Sequence, residues 1–183
     1  MKALIDFIPW IILGFLPTHN LNQLSLAIAG ILLLIVVFDY RHLRQGFVLA
    51  WGMALFFVFA IVAVALLRSS WVAHNLWVLS SATLAVITWI SLCIGKPFTL
   101  QYAREQTLPE HWASPTFTKI NVILTGVWGM VFSCNAAINL IKFYCCFGVP
   151  GWVYTVTTNV LTFGGVIFTL YFPKLYRNHK SPK

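Results

Sequence analysis

The sequence predicts an all-α protein, a polytopic bundle of transmembrane helices that forms a single integral membrane domain over residues 1–183. Only 9% of the residues are charged, whereas an average soluble domain has about 25%. A water-facing surface cannot be built from so few charges. The mean hydropathy is +0.83. Apolar runs of about 18 or more residues recur, each long enough to cross a hydrocarbon core of about 30 Å.

Five apolar stretches have the length of a membrane span. In chain order they are Leu21–Phe38, Phe47–Leu67, Leu76–Ile94, Ile120–Ile141 and Trp152–Phe172. A sixth stretch, Ala3–Leu16, reaches only about 21 Å as a helix, and it contains Asp6 and Pro9. It is either a short tilted span or a helix embedded at the membrane surface. Asp6 either caps this helix at the interface or has a functional role inside the membrane.

Lysine and arginine are divided unevenly between the two sides of the five spans. The richer side has Arg41, Arg44, Lys96, Arg104, Lys119, Lys174, Arg177, Lys180 and Lys183, and the other side has Lys2, Arg68 and Lys142. If Ala3–Leu16 also spans, Lys2 joins the richer side, so the side of the N-terminus stays open. Short cytoplasmic loops carry the excess of basic residues. The richer side, with the basic tail 173–183, is therefore predicted to be cytoplasmic. Orientation accounts for the net charge of +8, so no nucleic-acid partner is expected.

The longest connector covers residues 95–118 and holds two of the four acidic residues of the chain, Glu105 and Glu110. Polar residues separate its apolar ones, which are Phe98, Leu100, Tyr102, Leu108, Trp112 and Phe117. This pattern is typical of a segment on the membrane surface, with aromatic rings at headgroup depth. The candidate residues for binding lipid or a partner are Asp6, Lys96, Arg104, Glu105 and Trp112.

The span Ile120–Ile141 has an unusual row of polar and aromatic residues at intervals of three or four. They are Asn121, Thr125, Trp128, Phe132, Asn135 and Asn139, with Gly126 and Gly129 beside them for close helix approach. An unpaired amide in lipid costs several kcal/mol, so this face should point into the bundle. It serves either for hydrogen bonds between helices or as a polar cavity for a substrate or headgroup. Asn159 in the last span is expected to find a partner on another helix.

The connector also holds the densest ionisable cluster, which consists of Arg104, Glu105, Glu110 and His111. Glu105 or His111 would be the general base of a hydrolase. However, the chain has no nucleophile signature, phosphate loop or metal-ligand spacing. The sequence therefore predicts a protein that is not an enzyme, with no catalytic residue, cofactor or metal. A membrane enzyme acting on lipid intermediates is the weaker alternative.

Several short motifs are spread along the chain. They are the opening MKALIDFIPWI, the later GKPF, Arg104 with Glu105, Leu108 with Pro109, Trp112, Asn121, Trp128 and Asn139. Together these motifs resemble those of the intracellular septation protein A family of small bacterial inner-membrane proteins. The connector here is longer and more aromatic, with FTLQYARE where the family has a Gly-Lys-Glu type of stretch, as in a divergent branch.

The resemblance implies a location in the bacterial inner membrane and a role in septation or envelope maintenance. It implies contacts with membrane lipids and with division or envelope-synthesis proteins, and it brings no catalytic residues. A small transporter or lipid carrier that uses the polar face of Ile120–Ile141 is the alternative function. A homo-oligomer is compatible with either function.

Overall fold

The structure is a computed structural model that describes residues 8–13, 20–144 and 148–180. In these ranges the chain forms helices, turns and short links, and no strand. Five helices are long and apolar enough to cross a membrane: Leu21–Phe38, Val48–Leu66, Leu76–Cys93, Pro115–Tyr144 and Gly151–Arg177. The predicted polytopic, all-α membrane fold is confirmed. Asp6 and most of the stretch Ala3–Leu16 lie outside the described residues.

The helices are numbered along the chain. They are α1 (Ile8–Leu13), α2 (Leu21–Phe38), α3 (Tyr40–Arg44), α4 (Val48–Ile61), α5 (Ser70–His74), α6 (Leu76–Cys93), α7 (Phe98–Glu105), α8 (Pro115–Tyr144) and α9 (Gly151–Lys180). A π-helical turn, Val62–Leu66, extends α4, and a 3₁₀ turn, Pro109–His111, precedes α8. The chain divides into two compact units, Met1–Ile87 and Thr88–Lys183, and their boundary lies within α6.

In the first unit, α2 packs against α4 through one apolar stripe. The α2 side of this contact consists of Leu24, Ile28, Ile31 and Ile35, all buried and spaced by three or four residues. The side chain of Asn20 caps α2 by accepting hydrogen bonds from the N–H groups of Asn22 and Gln23, at 3.0 and 3.3 Å. An N-cap of this kind satisfies backbone donors that the first turn leaves open.

The π-helical extension of α4 ends at Leu66, and Arg68, two residues later, is a non-glycine residue in the left-handed region with φ 50°. The N–H of Ser69 reaches back to the carbonyl of Ala63 at 3.0 Å, which closes the helix in the way a glycine usually does. The Arg68 guanidinium also donates to the side chain of Asn22 on α2. This hydrogen bond ties the two helix ends together.

In the second unit, the long helix α8 packs against both α7 and α9. It begins at Pro115 and ends at Tyr144, so it extends beyond the predicted span at both ends and is about 45 Å long. Helix α9 continues through Pro173 to Lys180. The described part of the basic tail is therefore a helical extension of α9.

Gly129 allows α6 and α8 to approach closely. A Cβ atom at this position would lie 3.0 Å from Cε2 of Trp89 and 3.3 Å from Cγ2 of Thr88. Gly126, one turn away, has open space around the same position. Of the two glycines that the sequence singled out, Gly129 alone stands at a tight contact.

Candidate functional site

The apolar side chains of connector helix α7 are covered by protein within the second unit. Phe98, Leu100 and Tyr102 are 1%, 7% and 2% exposed, and α7 packs on α8. Protein, and not lipid, therefore covers these three side chains, whereas the depth of the connector in the membrane stays a prediction. The apolar face of α7 is covered by protein because α8 begins early enough to run beside it.

A chain of buried hydroxyl groups anchors α7. The Thr99 hydroxyl donates to the carbonyl of Asn121 at 2.8 Å and lies 2.7 Å from the Thr125 hydroxyl. Thr99 has one hydroxyl hydrogen, so Thr125 is the donor in the second bond. All three residues are buried. These bonds fix the register between α7 and α8, and they place the predicted residues Asn121 and Thr125 at that contact.

The start of α7 is held from α6 by Ser91. Its hydroxyl donates to the carbonyl of Thr88 at 2.7 Å and accepts from the N–H of Phe98 at 3.3 Å. Phe98 is the first residue of α7, and its N–H has no partner within the helix. Ser91 therefore caps α7 from a neighbouring helix. Lys96 lies exposed in the turn between the two helices.

The far end of α7 presents Arg104 and Trp112 together at the surface. The guanidinium carbon of Arg104 lies 5.7 Å from the centroid of the Trp112 ring, within cation–π distance. The Trp112 indole donates to the carbonyl of Thr107 at 3.1 Å, and the Thr107 hydroxyl bonds the carbonyl of Ala103. The turn after α7 is thereby folded back on the helix. Two of the predicted binding residues, distant in sequence by eight positions, form one exposed pair.

Three further ionisable residues of the connector, Glu105, Glu110 and His111, follow Arg104 in the sequence. Glu105 follows Arg104 at the last position of α7 and is half-buried, and it has an interaction partner. Glu110 and His111 are exposed in the 3₁₀ turn. Among residues 8–13, 20–144 and 148–180, no three His, Cys, Asp or Glu side chains are grouped so that they could hold a metal ion.

A ladder of hydrogen bonds connects α8 to α9, and we call it the polar seam. Its rungs are Trp128 Nε1 to Thr169 Oγ1 at 3.0 Å, Asn135 Nδ2 to Thr162 Oγ1 at 3.0 Å, and Lys142 Nζ to Thr155 Oγ1 at 3.5 Å. Each step of seven residues along α8 is matched by seven along α9. A heptad spacing is the repeat that keeps two helices in contact along their length.

Each threonine of the polar seam also uses its own hydrogen. The hydroxyl groups of Thr155, Thr162 and Thr169 donate to carbonyls one turn back in α9, at 3.3, 2.8 and 2.8 Å. They are then free to accept from α8. This arrangement leaves no threonine hydroxyl of the seam without a bond in a span where water is scarce.

The predicted polar face of α8 is divided between two neighbours. Asn121 and Thr125 lie against α7, and the Asn121 amide donates to the carbonyl of Phe117 in its own helix at 2.9 Å. Trp128 and Asn135 belong to the polar seam with α9. Asn139 is half-buried and has a partner, whereas Asn159 is exposed on α9.

Two polar contacts lie outside the residues that the sequence singled out. Nδ1 of His42 lies 3.3 Å from Oδ1 of the buried Asp39, and its ring stacks on Phe47 with centroids 4.7 Å apart. The indole of Trp89 donates to the hydroxyl of Ser133 at 3.1 Å. An acid three residues before a histidine is the sequence signal for the first contact, and here the acid, Asp39, is the residue just before α3.

The fold and this geometry define the class of the protein: a polytopic α-helical membrane protein with a connector helix fastened to its longest span. No family model, no curated protein and no solved structure matches the chain. The resemblance to the septation family therefore rests on the motifs in the sequence.

Proposed function

We propose that this chain is a bacterial inner-membrane protein that acts in cell septation or envelope maintenance through contacts with lipids and membrane proteins, without catalysis. Its C-terminus faces the cytoplasm in this proposal, as the uneven distribution of lysine and arginine favours. The motif resemblance supports the process. The surface pair Arg104 and Trp112 supports the mode of action.

The pair is the single observation that carries the proposal. Arg104 is exposed, and Trp112 is 38% exposed. A guanidinium group pairs with phosphate through parallel N–H donors, and a tryptophan ring prefers the level of the lipid headgroups. Stacked together at 5.7 Å, they suit the phosphate of an anionic phospholipid next to a protein partner.

Because α7 is held in a fixed position, the exposed Arg104–Trp112 pair is well suited to recognising a lipid or a protein. One side of the helix is buried and fastened through Thr99 and Ser91, so the other side presents Arg104 at a defined position. Sites on anchored helices hold their geometry better than sites on loose loops. Leu108, 64% exposed in the following turn, adds an apolar contact for a partner.

A complementation experiment tests the proposal. Cells that lack the gene receive either wild-type protein or a variant with Arg104→Ala, Glu105→Ala and Trp112→Ala. We expect the variant to reach the membrane at the wild-type level but to leave cell length and envelope integrity uncorrected. Arg177→Ala in the basic extension of α9 is the matched control and should restore both. Full restoration by the triple variant would rule out the connector as the acting surface.

A small lipid or solute carrier is the second candidate function, and one observation favours it. The carboxamide oxygen of Asn135, inside the longest span, has no hydrogen-bond partner among the described residues. A carrier needs an acceptor of this kind in its path, because a moving polar group must bind there.

A further inference from the structure

Asn135 carries an acceptor that the polar seam leaves unsatisfied. The residue is 8% exposed, and its amide nitrogen donates a hydrogen bond to the Thr162 hydroxyl. Thr162 cannot donate in return, because its hydrogen goes to the carbonyl of Thr158 at 2.8 Å. An orphan acceptor in hydrocarbon costs several kcal/mol. Among the described residues, no donor reaches this oxygen.

A polar path leads from Asn135 toward the end of α8 at Tyr144. If the pairing of the seam is continued along the two helices, Asn139 lies opposite Thr158, and both residues are half-buried. Beyond them, Lys142 and Thr155 are exposed. Their 3.5 Å separation is longer than an ordinary hydrogen bond of 2.7–3.2 Å. The seam thus becomes more polar, more exposed and looser toward this end.

Helix α9, which forms one side of this path, is largely exposed. Only 6% of the residues in the apolar window of α9 are buried. A hydrogen-bond donor that reaches Asn135 along this path passes Lys142. Residues 111–183 contain no Asp or Glu that could neutralise the positive charge of Lys142. A cationic ammonium donor would be repelled there. A neutral O–H group would not be repelled.

We infer that the half of the polar seam between Asn135 and Lys142 is a hydrated crevice, which delivers an O–H donor to the carboxamide oxygen of Asn135. The donor is water or the hydroxyl of a lipid headgroup. This inference does not depend on the function proposed for the connector, because it concerns a different face of α8.

Thiol labelling in vesicles tests the crevice. Cys93, Cys134, Cys145 and Cys146 are first replaced by alanine, and single cysteines are introduced as Thr158→Cys or Asn139→Cys. Val160→Cys, on the exposed apolar face of α9 at a similar depth, is the control. A charged methanethiosulfonate reagent reacts with the thiolate, which requires water. We expect both seam positions to react at least about tenfold faster than position 160.

Vesicle composition separates the two donors. Equal labelling in phosphatidylcholine, whose headgroup has no O–H, and in phosphatidylglycerol identifies water. Slower labelling in phosphatidylglycerol, taken relative to position 160 in the same vesicles to remove the effect of the anionic surface on the reagent, identifies the headgroup hydroxyl as the occupant. Seam positions as unreactive as position 160 in both vesicles would overturn the inference.

A second variant tests the role of Asn135 itself. Thr158→Cys retains both Asn135 and Asn139, so its labelling reports on the intact seam. Adding Asn135→Leu should slow this labelling severalfold, because the crevice then ends in a side chain that cannot hold a donor. An unchanged rate would show that Asn135 does not bind it.

Discussion

The hydroxyl oxygens of Thr99 and Thr125 lie 2.7 Å apart, and this hydrogen bond fastens the connector helix α7 to the longest span, α8. Both side chains are buried. The bond holds the segment between two candidate membrane spans in a fixed position on α8.

Removing the Thr99 hydroxyl should loosen the connector. Thr99→Val leaves the carbonyl of Asn121 and the hydroxyl of Thr125 with a lost partner each. We expect the free energy of unfolding to fall by about 1–3 kcal/mol. Thr99→Ser keeps the hydroxyl and is the matched control. Thermal unfolding in mild detergent measures both, and a Thr99→Val protein as stable as Thr99→Ser would show that the bond adds nothing.

Each hydrogen bond of the polar seam should contribute little to the free energy of unfolding, and the contributions should differ from one bond to the next. A double-mutant cycle with Asn135→Leu and Thr162→Val measures the coupling of the central pair. We expect about 0.6 kcal/mol, the typical value for a hydrogen bond between membrane helices. The same cycle with Lys142→Met and Thr155→Val should give less, because that rung is longer and exposed. A stronger outer rung would contradict the geometry.

Two glycines on α8 offer a matched pair for the contact with α6. Gly129→Ala places a methyl group 3.0 Å from the Trp89 ring, so we expect a loss of about 1–3 kcal/mol from overpacking. Gly126→Ala enters open space and should be neutral or slightly stabilising, since alanine favours the helix. Urea or detergent unfolding compares the two proteins. Equal effects would mean that α6 and α8 are farther apart than described.

The backbone at Arg68 provides a test of the helix end. Arg68→Gly and Arg68→Ala both lose the hydrogen bond to Asn22, so their difference isolates the left-handed conformation at φ 50°. We expect the glycine variant to be more stable than the alanine variant by about 1 kcal/mol. Thermal unfolding measures the difference. An alanine variant that equals or exceeds the glycine variant would contradict this account of the helix end.

Composition and run length were sufficient to predict the five spans, and α2 has the predicted bounds Leu21–Phe38. The surroundings of the connector helix were harder to predict from the sequence, for a physical reason. An alternation of apolar and polar residues shows that a helix is amphipathic, but it does not show whether lipid or protein covers the apolar side. Phe98 and Tyr102 therefore looked like lipid anchors, although they are buried.

The polar face of α8 shows a second limit. Residues spaced by three or four share a stripe, but a 30-residue helix meets different neighbours along its length. The backbone carbonyl of Asn121 accepts a hydrogen bond from α7, and the side-chain amide of Asn135 donates one to α9. The polar seam itself was visible in the sequence: Trp128, Asn135 and Lys142 repeat every seven residues, as do Thr155, Thr162 and Thr169.

The most direct test of the central claim is photocrosslinking in living cells from position 108, where Leu108 is exposed beside the Arg104–Trp112 pair. The buried position 102 is the control. We predict that mass spectrometry will find crosslinks from position 108 to lipid and to a division or envelope-synthesis membrane protein. These crosslinks should weaken in the Arg104→Gln variant. Crosslinks from position 108 only to the protein's own chain, as expected from position 102, would contradict the claim that the connector is the acting surface.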